Sequence, residues 1–426
     1  MNHKDKQDRN ATNAINAHNK NDRNDKSDRN DRNWKQIAAI FDSELLGGFI
    51  LIIATALAII IANTNFSHMY FELWHTQIGL RIHDLFIGFD LHHWINDVLM
   101  AFFFLMVGLE IKREFLVGDL NDVKKAAFPI IGALGGMVVP ALIYIILNYN
   151  TPSMHGFGVP MATDIAFAMG VILLLGRRIP VALKVFLVTL AVVDDLGAIV
   201  VIAIFYTTGS LDFYYLIAGI IVFGILILLN YFGVKKLTPY MIVGIALWFC
   251  VYKVGVHPTI SAVLLAFTIP LGVKDKTNLR KIAASPLRIL EGKLHGLSVY
   301  FIMPIFAFAN AGVHIGSDVN FGIDHIFLGI FLGLLVGKPV GIFAITYIFD
   351  KLKIAKKPEG VSFMQIFGAG LLAGIGFTMS IFVSGLSFAN QESAEVAKIS
   401  ILSSSMLAAI LGSIFLTLCS KNLKSK

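Results

Sequence analysis

The sequence predicts an all-α polytopic membrane protein with about 12 transmembrane helices. Of its 426 residues, 56% are hydrophobic and only 15% are charged, with a mean hydropathy of +0.73. Soluble domains carry about 25% charged residues, so this composition excludes an ordinary soluble enzyme or binding module. The apolar residues also form separate stretches close to the ~20 residues that a helix needs to cross a bilayer.

Twelve such stretches occur along the chain. We predict spans near 45–63, 94–111, 126–148, 159–175, 181–207, 214–232, 239–252, 257–272, 294–313, 326–349, 364–386 and 397–419. An even number of spans puts both termini on the same side of the membrane.

The distribution of basic residues predicts which side that is. Of the 35 Lys and Arg residues, 22 fall in connections on the side of the termini, and only Arg81, Lys253 and Lys398 fall on the opposite side. Basic residues collect in cytoplasmic loops, so both termini are predicted to be cytoplasmic. The same distribution accounts for the pI of 9.2 without a nucleic-acid partner, since no basic stripe is interleaved with aromatic residues.

The two ends of the chain differ from the apolar region. Residues 1–35 carry Asp-Arg-Asn repeats and almost no bulky apolar side chains, so we predict a disordered cytoplasmic arm. The arm lacks the apolar core of a signal peptide. Residues 36–420 are predicted to form one transmembrane domain, followed by a short basic cytoplasmic tail at 421–426.

Two adjacent acids are the strongest functional signal. Asp194 and Asp195 are the only charged residues between positions 185 and 211, which places both carboxylates near the membrane midplane. One ionised Asp there costs roughly 2.5–3.5 kcal/mol on insertion scales, and a like-charged neighbour makes ionisation of both harder. The pair therefore predicts a site for a cation or for exchangeable protons.

Two further charges lie at about the same depth. Asp164 follows a Gly- and Pro-rich segment, and Lys338 lies midway along its span. If Lys338 neutralises one aspartate, two carboxylates remain for a cation or protons. Neighbouring helix residues point about 100° apart, so only one of Asp194 and Asp195 can face Lys338, and the sequence leaves open which one does. Thr163 adds oxygen atoms of the kind that hard cations prefer.

Two spans carry interruptions. Gly and Pro residues precede Asp164, and four glycines at 368–376 precede Thr378. Paired interruptions in the two halves of a transporter predict discontinuous helices at a midplane site. Half-helix ends carry partial charges, and Asp164 and Lys338 have the signs needed to compensate them.

Six segments closely resemble the NhaA family of bacterial sodium/proton antiporters, over roughly residues 36–420. These segments are ATDIAFAMG (162–170), LAVVDDLGAI (190–199), GKPVGI (337–342), WINDVLMAFFFLMVGLEIKREF (94–115), PIFAFANAGV (304–313) and GIGFTMSIF (374–382). The resemblance implies inverted-topology repeats, with two discontinuous helices crossing near the midplane. It further implies electrogenic exchange that brings protons in and moves Na⁺ or Li⁺ out, in a bacterial inner membrane, for sodium and pH homeostasis.

The resemblance also implies a role for each site residue. Asp194 and Asp195 would bind the ion and the protons, while Thr163, Asp164 and Lys338 would line the path and compensate helix ends. A pH-responsive cluster at the cytoplasmic funnel would comprise Glu110, Arg113, Glu114, Glu291 and His295. The polar segment 64–91 would form an external β-hairpin that joins two protomers. No resident cofactor is implied, because Na⁺, Li⁺ and H⁺ are the cargo.

Two other protein classes also place acids in a membrane. An intramembrane aspartyl protease needs one aspartate in a Gly-x-Gly-Asp context, but Val192 and Val193 precede the pair here. A sodium-coupled solute symporter needs a larger polar pocket than Thr163, three aspartates and Lys338 provide. An ion fits this inventory better than an organic solute does.

Overall fold

The computed structural model describes residues 45–82, 85–207, 212–272, 285–314 and 324–422. The predicted arm at 1–35 and most of the tail at 421–426 lie outside these ranges. Within them, nine helices are long and apolar enough to cross a bilayer, and two bent pairs of shorter helices can each form a further crossing. The chain is therefore an all-α multi-pass membrane protein.

The described ranges contain fifteen helices. In chain order they are α1 Leu45–Ala62, α2 Ser67–His75, α3 Leu91–Val117, α4 Val123–Leu147, α5 Pro152–Met161, α6 Ile165–Leu174, α7 Val181–Phe205, α8 Phe213–Tyr231, α9 Leu237–Val254, α10 Thr259–Thr268, α11 Pro286–Asn310, α12 His325–Lys351, α13 Phe363–Ala373, α14 Phe377–Ser387 and α15 Gln391–Asn422. The α5 segment is wound as a 3₁₀ helix, and short 3₁₀ turns occupy Asp119–Asn121 and Gly176–Arg178.

Two pairs of helices are broken where the glycine- and proline-rich segments indicated. The axes of α5 and α6 differ by 40°, and those of α13 and α14 differ by 51°. The two breaks contact each other, since the backbone N–H of Asp164 donates to the carbonyl of Ile375 at 2.7 Å. Each break thus satisfies a backbone group that the interrupted helix leaves open.

The predicted span at 257–272 is only partly helical. Its helix, α10, has 10 residues, which at 1.5 Å per residue is about half the thickness of the hydrocarbon core. Pro258 precedes the helix and Pro270 follows it, and proline disfavours helical continuation. Lys112 Nζ donates to the carbonyl of Phe267 at 2.7 Å, which supplies a partner for the carboxyl end of this short helix.

Glycines bring α4 and α12 into close contact. A Cβ atom on Gly135 would lie 2.4 Å from the carbonyl oxygen of Gly341, and one on Gly341 would lie 2.1 Å from that of Gly135. No larger side chain fits at either position without moving a backbone, as is usual where membrane helices pack closely. A π-helical turn at Gly333–Gly337 in α12 directly precedes Lys338. The Lys338 side chain is fully buried in the protein.

The polar segment 64–91 contains α2 and a β-hairpin. Strand β1, Gln77–Ile82, pairs antiparallel with β2, Leu85–Asp90, from Gln77 opposite Asp90 to Ile82 opposite Leu85. The hairpin is the one that the resemblance implied, while α2 was not predicted. The α2 helix packs against α11 through Tyr70, whose hydroxyl donates to the carbonyl of Phe308 at 2.5 Å.

Candidate functional site

The Lys338 ammonium pairs with Asp194. Nζ of Lys338 lies 2.8 Å from Oδ2 of Asp194, and both side chains are almost completely buried. The same Nζ donates to the carbonyl of Met161, at the carboxyl end of α5, where the helix carries a partial negative charge. The geometry thus answers the question that helix spacing left open, because Asp194 is the acid that faces Lys338.

Asp195 is in a different position. Its side chain is also buried, at 3% exposure. Within the described ranges it makes no hydrogen bond or ion pair, although the charges of Asp194, Asp164 and Glu110 act on it. A buried carboxylate without a partner is expensive to ionise, and binding of a proton or a cation lowers that cost.

One carboxylate oxygen of Asp194 also lacks a hydrogen-bond partner. Its Oδ2 lies 2.6 Å from Oγ1 of Thr163 in addition to the Lys338 contact. Its Oδ1 is buried and has no hydrogen-bond partner. Such atoms are rare in native structures, and this oxygen is available as a ligand for a cation.

Asp164 lies at the amino ends of two half-helices. Its Oδ1 accepts from the backbone N–H of Phe167 at 3.0 Å, which caps α6. Its Oδ2 accepts from the backbone N–H of Thr378 at 3.1 Å and from the Thr378 hydroxyl, at the start of α14. Both helix ends carry partial positive charge, so the Asp164 carboxylate is compensated within the protein.

Thr163 ties the two breaks to the paired acid. Its hydroxyl is within hydrogen-bond distance of Asp194 Oδ2, and it also lies 3.0 Å from the carbonyl of Ala373 at the end of α13. The site is thus built from α7, α12 and both broken pairs.

These contacts leave an unequal charge balance. Lys338 pairs with Asp194, and the helix ends compensate Asp164. Asp195 has no hydrogen-bond or ion-pair partner in the described part of the chain, and the charge of Lys338 acts on it only at a distance. One monovalent cation or one proton would neutralise it. The available ligand atoms are carboxylate oxygens of Asp195 and Oδ1 of Asp194, which suit a hard cation such as Na⁺.

A second cluster of charged side chains lies near the carboxyl end of α3. Nε of Arg113 donates to Glu291 Oε1 at 2.8 Å, and its guanidinium also pairs with Glu114 and, at 3.5 Å, with Glu110. The four side chains are 11–24% exposed. The structure therefore brings together four of the five residues that the resemblance assigned to pH control.

The fifth residue, His295, lies one helical turn after Glu291 on α11. Its ring makes no hydrogen bond to any described residue, and its buried Nε2 lacks a partner.

Sequence reasoning missed two residues at these sites. Arg288 donates through Nη1 to both carboxylate oxygens of Glu291, each at 3.1 Å, so Glu291 is held between two guanidinium groups. Its spacing of three residues from Glu291 on one helix was the signal available. Thr378 was noted only as the end of a glycine-rich stretch. Its contact with Asp164 joins residues 214 positions apart and had no local signal.

Comparisons with known proteins show the family of this chain. The family model described as Na⁺/H⁺ antiporter 1 matches residues 38–416. A Helicobacter pylori protein named Na(+)/H(+) antiporter NhaA is 52% identical over 414 residues, which cover 89% of this chain and 94% of the relative. The NhaA of Wolinella succinogenes is 52% identical over 90% of this chain and 93% of its own length. The chain therefore belongs to the Na⁺/H⁺ antiporter 1 family.

Proposed function

We propose that the protein is an electrogenic antiporter that extrudes Na⁺ or Li⁺ from the cytoplasm in exchange for protons. The observation that carries this proposal is the buried, partnerless carboxylate of Asp195 beside the Lys338-paired Asp194. The family relationship favours antiport over a sodium-coupled symporter or an intramembrane protease.

Asp195 and Asp194 share the transported ions. With Na⁺ bound, oxygens of Asp195 and Oδ1 of Asp194 are the ligands, and Asp195 is ionised. With Na⁺ absent, Asp195 holds a proton, because an unpaired buried carboxylate is otherwise too costly. Since both ions need the same oxygens, one leaves when the other binds.

Lys338 supplies the second titrating group that electrogenic exchange requires. Na⁺ at Asp194 competes with the ammonium for the same carboxylate and weakens its 2.8 Å contact. A buried ammonium that loses its counter-charge releases its proton more easily. One proton from Asp195 and one from the Asp194–Lys338 pair are then exchanged for one Na⁺. Each cycle therefore moves one net positive charge across the membrane.

Asp164 and Thr163 hold the geometry of the crossing. Asp164 fastens the amino ends of α6 and α14, and Thr163 links their breaks to Asp194. These contacts keep the unwound backbone in place while the ions exchange.

The Arg113 cluster regulates exchange by pH. Glu110, Glu114 and Glu291 share one guanidinium, so protonation of any of them changes the field around the others. Glu110 is also close enough for its charge to act on Asp195. This link supplies a route from the cluster to the ion site.

The cellular setting follows from topology. The basic-residue distribution supports an inner-membrane protein with both termini cytoplasmic. The paired strands β1 and β2 carry open edges, which support homodimerisation through residues 64–91. Membrane lipid is the other partner, and the exchange uses no resident cofactor.

Proton flux in everted membrane vesicles tests the ion site. Adding Na⁺ should release protons from vesicles with the parent protein, whereas Asp195→Asn and Asp194→Asn should each abolish the release. Asp212→Asn is the matched control, since Asp212 only caps α8 and asparagine caps a helix about equally well. Near-normal exchange in either site variant, with its amount in the membrane verified, would refute the shared site.

A further inference from the structure

A cavity of about 450 Å³ opens on the side of the membrane opposite the termini. It lies between the external ends of α3, α11 and α15 and the connection from α9 to α10. Its polar lining includes His92, Asn96, Asp97, His257 and Lys398. None of these residues contributes to the ion site described above.

Aromatic side chains form the floor of this cavity. The Phe382 ring is 4% exposed, and its centroid lies 5.3 Å from that of Phe104 and 6.2 Å from that of Phe306. Phe382 is four residues, or about one helical turn, beyond Thr378, which bonds Asp164. Phe382, which lines the cavity, therefore lies about one helical turn from the contact between Thr378 and Asp164. We call this cavity the external chamber.

The charge of this chamber is set by few groups. The His257 side chain is 11% exposed, and its Nε2 lies 3.5 Å from Oδ1 of Asp97. His92 lies 3.0 Å from the Asn310 amide oxygen. Glu395 on α15 acts on Lys398 at a distance, and His93 is held by Asp90. With its histidines neutral, the chamber is lined by two side chains that carry a formal charge, those of Asp97 and Lys398.

Lys398 has no structural partner. Its side chain is half-buried, and within the described ranges it makes no ion pair or hydrogen bond. A partly desolvated ammonium without a partner does not stabilise a fold. Its field acts on what the chamber contains.

We propose that Lys398 sets the affinity of the external side for cations. This inference rests on the proposed antiport. A fixed positive charge in the chamber lowers the local concentrations of Na⁺ and of protons by the same factor, because both are monovalent cations. Na⁺ released from the site therefore leaves a chamber that binds it weakly, and external Na⁺ returns less readily.

The test uses membrane vesicles of both orientations. One basic residue beside an anionic membrane surface strengthens binding about fivefold, and we expect a single charge to change the cation affinity of the chamber by a similar factor. In right-side-out vesicles, Lys398→Met should lower the external KM for Na⁺ about fivefold. It should also raise the external pH of half-maximal proton competition by about 0.7 units. In everted vesicles the cytoplasmic KM should not change.

Three further variants separate the effect of the Lys398 charge from the effects of side-chain shape and position. Lys398→Arg keeps the charge and should behave like the parent, and Lys398→Gln repeats the loss of charge with a polar side chain. Lys253→Met is the matched control, since Lys253 is an exposed cation on the same side that does not line the chamber.

Each contrary result has a distinct meaning. An unchanged external KM in both neutral variants would overturn the proposal and leave antiport intact. Equal changes on the two sides of the membrane, or the same shift in Lys253→Met, would overturn it too. Absence of Na⁺-coupled proton movement in the parent vesicles would instead refute the proposed antiport.

Discussion

The Asp194–Lys338 pair should stabilise the fold as well as serve transport. Lys338→Met keeps most of the side-chain volume and removes the ammonium group with its charge and its hydrogen-bond donors. It leaves Asp194 buried with the Thr163 hydroxyl as its one remaining partner, and it leaves the Met161 carbonyl without its donor. Removing one member of a buried ion pair destabilises by ~3–5 kcal/mol.

That free energy translates into a modest shift of melting temperature. The entropy of unfolding scales at ~2.1 cal/mol/K per residue, so for 426 residues ~3–5 kcal/mol corresponds to a fall in Tm of about 3–6 °C. The double variant Lys338→Met with Asp194→Asn removes both charges. It should recover at least half of the loss, because no unpaired buried charge remains.

Thermal unfolding of the purified protein in detergent, followed by tryptophan fluorescence, measures both effects. Lys351→Met is the control, since Lys351 is an exposed cation on the same helix, and it should change Tm by less than about 1 °C. A Lys338→Met variant as stable as the parent, or a double variant less stable than either single one, would refute this reasoning.

Three further predictions concern transport and packing. If Na⁺ and protons compete for the same carboxylates, the apparent KM for Na⁺ should rise about tenfold per unit fall in pH for each competing proton, and a pH-independent KM in vesicle assays would require separate sites. Glu114→Cys and Glu291→Cys should shift the pH profile of exchange while keeping a substantial maximal rate, because both contact Arg113 rather than the ion site. Loss of exchange at every pH would place them in the transport path instead. Gly341→Val should reduce the amount of folded protein in the membrane, because its Cβ would meet the Gly135 carbonyl at 2.1 Å, whereas Gly385→Ala, with open space around its Cβ, should not.

The sequence predicted the parts of this protein that depend on composition and local pattern. Most of the spans, the buried acids and the two glycine-rich breaks could be predicted from apolar length, isolated charges and helix-breaking residues. The α10 span was predicted too long, because apolar composition continues past Pro270 while the helix does not.

Contacts between distant segments could not be read from the sequence. Helix geometry showed that one aspartate faces Lys338, but the choice of Asp194 depends on how α7 and α12 rotate against each other. The lack of a partner for Asp195 has the same origin. Arg288 is a different case, because its spacing of three residues from Glu291 on α11 was a local signal that the sequence interpretation did not use.

The central claim is that Na⁺ and protons occupy the same carboxylates, and proton release on Na⁺ binding tests it most directly. Purified protein in a weakly buffered solution with a pH indicator is mixed with Na⁺, and the released protons are counted without any membrane gradient. The parent should release protons in proportion to bound Na⁺, with K⁺ as the control salt, and Asp195→Asn should release none. Saturable Na⁺ binding without proton release in the parent would contradict the claim.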